Sequence, residues 1–129
     1  MLMSNAYDYI NVLGRTADAS FRRNEILVNN IANKDVPNYK RKDIQFETYL
    51  AEALSSGDSL DAMVSTIEYD TLSPTVYTDR GHLDYRMDGN NVDIDVENVE
   101  LAKNQLKYYT LTDMINQEFQ RLKTAISIN

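Results

Sequence analysis

Cysteine and tryptophan are absent from these 129 residues, and glycine (4), proline (2) and histidine (1) are scarce. Without cysteine there is no disulfide framework, no thiolate chemistry and no zinc ribbon. Four glycines could hardly build a phosphate cradle, and no Walker loop, dinucleotide fingerprint or nucleophile elbow occurs. The single His82 stands beside Gly81 in a turn-rich stretch and reads as a solvated side chain, not a base or a metal ligand. No residue is therefore assigned a catalytic role, and no cofactor, metal or small-molecule substrate is expected. No apolar run approaches the ~18 residues needed to span a bilayer. Asn5, Asp8, Asn11, Arg15 and Asp18 interrupt the first twenty residues, so no signal-peptide apolar region is expected either. The net charge of −7 argues against nucleic acid as a partner, because phosphate binding needs clustered Lys and Arg. The densest basic run, Lys40-Arg41-Lys42, is followed at once by Asp43 and reads as the solvated start of a helix.

The chain does contain enough apolar residues for a modest core. Leu, Ile, Val and Phe make up about a quarter of it, above the roughly 20% below which disorder is expected. Tyrosine (9) outnumbers phenylalanine (3), and tyrosine suits half-buried surfaces because its ring packs while its hydroxyl stays wet or bonded. That balance favours contact surfaces over a deep interior.

Two long amphipathic stretches bracket the chain. From about Ala6 to Asn33, Ile10, Leu13, Ala17, Phe21, Val28 and Ile31 recur at three- and four-residue steps, with Leu27 widening the stripe and Asn24 interrupting it. At the other end Asp95 is placed as an N-cap, and neither glycine nor proline occurs from there to Ile126. Leu101, Tyr108, Ile115 and Leu122 repeat at seven, broadened by Leu111, Phe119, Ala125 and Ile126, which is a heptad-like seam. The pattern alone fits equally two core helices of a small bundle. A self-contained helical adaptor or export chaperone with an amphipathic groove is the corresponding alternative function. The chain divides into an N-terminal helix over 1–34, a middle segment over 35–94 and a C-terminal helix over 95–129. The expected class is mainly α, with the long terminal helices forming a coiled-coil-like pair around a small middle of short helix, loop and β-hairpin.

Within the middle, Asp43 to Leu54 reads as a short helix, and Leu60 to Ile67 as either a second short helix or irregular chain. Thr75–Thr78 and His82–Met87 alternate around Asp79-Arg80-Gly81, a hairpin-like signal. Asp88-Gly89-Asn90-Asn91-Val92-Asp93-Ile94-Asp95 is acidic enough to suggest calcium. An EF-hand loop starting at Asp88 needs glycine at its sixth position and glutamate at its twelfth, and finds Asp93 and Val99. An irregular carboxylate site stays open, but the better reading is a turn at Asp88, Gly89 and Asn90, then Val92, Ile94 and Val96 alternating on a strand that enters the last helix.

The most specific stretch is 29–39, Asn-Asn-Ile-Ala-Asn-Lys-Asp-Val-Pro-Asn-Tyr. Asn29, Asn30 and Asn33 lie within little more than one helical turn, although asparagine is a mediocre helix former. They read as amides placed to hydrogen-bond across a helix contact. Val36 is pushed out of the helical region by Pro37, and Pro37-Asn38 suits the centre of a turn before Tyr39.

This run resembles the signature of the flagellar axial proteins, the rod and hook family: Asn-Asn-Ile-Ala-Asn, a short spacer, then Pro-Gly-Tyr. Asn38 replaces the family's usual glycine and tolerates the left-handed conformation better than most residues. A second likeness runs from Tyr85-Arg86-Met87-Asp88-Gly89 into Glu100-Leu101-Ala102-Lys103-Asn104 and onward, similar to short members of the family that form the proximal rod. The two together cover roughly residues 8–47 and 85–126. The resemblance implies a structural subunit of the flagellar basal-body rod, outside the cytoplasmic membrane, exported by the type III apparatus without a cleaved signal. The implied partners are other copies of itself, other rod proteins, the rod-base adaptor FliE, the membrane ring and the export apparatus. The subunit interface would be formed by Ile10, Leu13, Ala17, Phe21, Val28 and Ile31 on the first helix and by Leu101, Tyr108, Leu111, Ile115, Phe119 and Leu122 on the last. Asn29, Asn30 and Asn33 would set register between helices, as a buried asparagine does in coiled coils. Pro37 and Tyr39 would set the exit angle of the chain.

Overall fold

The computed structural model describes residues 2–80 and 86–128. Helix α1 (Leu2–Ala32) and helix α4 (Ile94–Ser127) run antiparallel along each other: Phe21 meets Tyr108, Ser20 meets Asn104 and Asn30 meets Glu97, so α1 numbers fall as α4 numbers rise. Between them in sequence come strand β1 (Lys42–Gln45), helix α2 (Glu47–Ala53), helix α3 (Leu60–Ser65), a 3-10 turn (Tyr69–Thr71) and strand β2 (Thr75–Thr78). The architecture is the expected one, a long helical pair with a small mixed middle. No helix is long and apolar enough to cross a membrane among the described residues.

The helical pair is sealed by Leu27, which is fully buried, and by Ala17, Leu111 and Leu122. Fully burying one such side chain contributes about 1.5–3 kcal/mol. A second small core forms where the middle docks on α1: Ala19, Phe46 and Leu72 are buried, with Ile44, Tyr49, Leu50 and Ile67 packed around them. The small side chain of Ala19 lets the middle approach the helix closely.

Four local expectations need correction. The helix expected over Asp43–Leu54 begins only at Glu47, because the side chain of Asn30 clamps Lys42 in an extended conformation: Lys42 N–H donates to Asn30 Oδ1 at 2.9 Å and Asn30 Nδ2 donates to Lys42 O at 2.7 Å. Strand Thr75–Thr78 pairs antiparallel with Lys42–Gln45, in the register Lys42↔Thr78 to Gln45↔Thr75. The second arm expected at His82–Met87 falls largely on residues 81–85, outside the described residues. No strand leads into α4. The cap is Asp93, two residues before the expected Asp95, and its Oδ1 accepts from Asp95 N–H at 3.0 Å and Val96 N–H at 3.3 Å. The Val92, Ile94, Val96 alternation that suggested a strand is therefore split, with buried Val92 before the helix and exposed Ile94 and Val96 in its first turn. Finally, Arg41 is not a solvated helix start; it points into the junction described next.

Candidate assembly interface

The signature run builds a junction at one end of the helical pair, and asparagine side chains organise it. Asn30, fully buried on α1, accepts from Lys42 N–H and from Tyr39 OH (3.1 Å) and donates to Lys42 O and to Glu97 Oε2 (3.2 Å). Its carboxamide thus ties together α1, the chain leaving the turn, and α4. Asn29 and Asn33 act locally instead: Asn33 Nδ2 donates to Asn29 O and Oδ1 at 2.7 and 2.6 Å.

Tyr39 N–H closes the turn on Val36 O at 3.3 Å, with Asn38 in the left-handed region at φ +61°. A second turn lies against it. Gly89 N–H bonds Arg86 O at 3.1 Å, Asp88 Oδ1 accepts from Asn90 N–H, and Asn38 N–H donates to Asp88 O at 2.8 Å. Asn90 is buried, and its Nδ2 reaches Asn33 O, Lys34 O and Val36 O, gathering the carbonyls of the turn that follows α1. Buried Asn91 accepts from Arg41 N–H at 2.7 Å and donates to Asp79 O at 2.7 Å. Gly89 has φ +77°, and a Cβ there would lie 2.5 Å from Asn38 Oδ1. Gly89→Ala is therefore expected to cost about 1–3 kcal/mol. Urea unfolding checks this, and pairing it with Asn38→Gly should return the steric part of the loss.

Beneath the amides lies an ion network. Arg41 donates to Glu97 Oε1, to Asp79 Oδ2 at 2.8 Å and to Asp43 Oδ2 at 3.2 Å. Arg23 grips both Asp43 oxygens at 2.9 and 3.2 Å and reaches Glu100 at 3.1 Å. Glu97 is only 1% exposed. Burial opposes the Arg41 charge, but Glu97, Asp79 and Asp43 outweigh it and hold its pKa above the ordinary value. Burial likewise opposes the Asp43 carboxylate, yet the Arg23 fork, the Ile44 amide and Arg41 hold its pKa below the usual carboxylate range. A carboxylate with a depressed folded pKa releases its proton more readily folded than unfolded. Its contribution is complete above the unfolded value of about 3.9 and is lost as pH falls through the folded one. The urea midpoint is therefore expected to drop below about pH 4, and less steeply in Asp43→Asn, as a midpoint series from pH 7 to 2 would show.

Outside the junction, the structure places the remaining stripe residues at graded exposure. Ala17, Leu111 and Leu122 are buried between the helices, whereas Ile10, Leu13, Ile31, Leu101, Tyr108 and Ile115 are half-buried. Phe21 (55% exposed), Val28 (48%) and Phe119 (50%) stand open. Phe21 and Tyr108 meet at 6.1 Å between ring centroids and Tyr108 and Tyr109 at 6.3 Å, so an aromatic strip runs along one side of the pair. Pro37 and Asn38 are exposed at the junction tip, Tyr39, Asp88 and Gly89 are half-buried, and Asn90 is buried. Among the described residues, no group of three or more His, Asp or Glu side chains is arranged to hold a metal ion.

Periodicity read as apolar spacing missed Arg23, Arg41, Asn91, Glu97 and Asn104. A signal was present for two of them. Glu97, Asn104, Leu111 and Glu118 also repeat at seven, interleaved with Leu101, Tyr108, Ile115 and Leu122 at alternating four- and three-residue steps. Polar residues at core heptad positions mark places where a polar partner waits; Asn104 Nδ2 donates to Ser20 O at 2.7 Å.

An amide-knit junction at one end of a long helical pair, with a small mixed middle docked on it, invites comparison with known proteins. The flagellar basal body rod protein FlgB of Bacillus subtilis is 36% identical over 106 residues, covering 81% of this chain and 82% of the relative. The chain belongs to the FlgB family. FlgB of Cereibacter sphaeroides is 34% identical over 130 residues, covering 96% and 98%, and FlgB of Yersinia enterocolitica is 37% identical over 114 residues, covering 81% and 83%. No family model matches the chain. The family's proteins are flagellar basal body rod proteins, and the fold of this member is a helical pair with its signature at the junction.

Proposed function

We propose that the chain is a structural subunit of the proximal rod, packing through its terminal helices into the tube that transmits torque. The observation that carries this reading is the open side of the helical pair. The apolar heptad of α1 is turned partly away from α4, leaving Phe21 half-exposed beside Tyr108, with Val28 on α1 and Phe119 on α4 also half-exposed. Large apolar side chains left open in this number on a helical pair point to an interaction site. Ile10, Leu13, Ala17 and Ile31, with Leu101, Leu111, Ile115 and Leu122, hold the two helices at the spacing that presents that side to neighbours. Asn29, Asn30 and Asn33, with Pro37, Asn38, Tyr39, Asp88, Gly89 and Asn90, fix the angle at which the middle leaves the pair. Neighbours in this reading are other copies, other rod proteins and the rod-base adaptor FliE, above the membrane ring, reached through the flagellar export apparatus.

The test is to tag the chain, express it in a strain lacking its own proximal rod subunit, and purify basal bodies. Recovery of the chain with the rod and return of swimming are expected. A tagged chain that stays soluble while motility remains absent would contradict the reading and favour a free-standing adaptor.

A further inference from the structure

Apolar side chains lie open on two faces of the helical pair. The first is the strip of Phe21 and Val28 with the half-buried Tyr108. The second lies on α4. Val99 is 53% and Leu106 69% exposed, each two residues, or about 200° of helix rotation, beyond Glu97 and Asn104, which are buried. The second face therefore looks away from α1 and cannot be covered by it. A two-fold dimer through either face would leave the other open on both copies. Seating the second face of one copy on the first face of the next uses both, and repeats without closing unless the rotation closes it. The rim charges of the two faces are opposite in sign. Exposed Glu25 on α1 lies one turn from both Phe21 and Val28, and exposed Lys103 lies between Val99 and Leu106. Among the described residues Glu25 pairs with Arg22, at 3.6 Å, and Lys103 with Glu100, at 3.4 Å; both contacts are of the surface i,i+3 kind.

We propose that copies of this chain associate head-to-side, with Val99 and Leu106 of one α4 docked against Phe21, Val28 and Tyr108 of its neighbour and Lys103 set opposite Glu25. The proposal rests on the rod reading and adds which faces meet.

The absence of cysteine allows a clean test. Phe21→Cys and Leu106→Cys are made in separate, differently tagged chains, co-expressed in flagellated cells and oxidised in purified basal bodies. A single cysteine per chain excludes any internal disulfide. Mixed Phe21→Cys/Leu106→Cys dimers are expected to exceed either homodimer several-fold. Glu25→Lys or Lys103→Glu alone should lower the mixed product roughly two- to fivefold, the scale of exposed ion pairs, and the double swap should restore it. Chains present in basal bodies with homodimers equal to or above mixed dimers, or with no dimer, would overturn this contact and leave the rod reading standing. Chains absent from basal bodies would overturn the rod reading, and the same dimer ratio in the soluble fraction would then decide the contact.

Discussion

Arg41→Ala is expected to lower the unfolding free energy by about 3–5 kcal/mol. The reason is the neighbour left behind. Glu97 is 1% exposed and accepts from Arg41 and Asn30, so deleting the guanidinium strands a buried carboxylate. Breaking a buried pair by removing one partner costs far more than the pair contributes on balance, because desolvation of the remaining charge is no longer offset. Asp79 and Asp43 would lose the same donor. Arg41→Lys keeps the charge but not the fork and cannot reach three carboxylates at once, so an intermediate loss is expected. The double variant Arg41→Met with Glu97→Gln removes both charges and should recover a large part of the difference. Urea denaturation of all four proteins followed by helix content makes the comparison. Equal midpoints for wild type and Arg41→Ala would show that the network does not hold the junction.

Ile115→Asp is expected to reduce incorporation into basal bodies at least about tenfold, the equivalent of about 1.4 kcal/mol, while leaving expression intact. Ile115 is half-buried on the α1-facing side of α4, between buried Leu111 and Leu122. An aspartate there must either stay in the seam unpaired, at a cost of several kcal/mol, or prise the helices apart. Either outcome alters the side of the pair on which Phe21, Val28 and Phe119 stand open. Ile115→Val keeps the contact and serves as the control. Swimming in soft agar and recovery of the variant with purified basal bodies are the readouts. Wild-type swimming by cells carrying only Ile115→Asp would remove the seam from the account.

The helices were legible because their apolar spacing is long and regular and is bounded by the Pro37 turn and the acidic start of α4. The turn at Val36–Tyr39 was legible for a local reason, the conformational restriction at Pro37 and the tolerance of Asn38 for positive φ. What escaped was set by contacts distant in sequence. Lys42 is extended because Asn30 grips its backbone, and β2 pairs with β1 across some thirty residues. No window around Asp43 contains that information, so local periodicity favoured a helix there. Within the chain Asn30 bonds Lys42 and Glu97 while Asn33 bonds Asn29, so one of the three amides spans distant elements and the other two act within a single turn. Arg41 was discounted because it stood in a short basic run. Its partners Asp79 and Glu97 lie 38 and 56 residues away.

In the proposed rod subunit the junction is complete within one chain, while the helical faces are covered only by neighbours. Hydrogen exchange measured on the free chain and on the chain in purified basal bodies tests it directly. Amides of Tyr39–Ile44 and at the start of α4 are expected to be protected in both states, and those along α1 and the rest of α4 to slow by orders of magnitude only on assembly. Helices equally protected in both states, or a junction that exchanges freely in the isolated chain, would contradict the account.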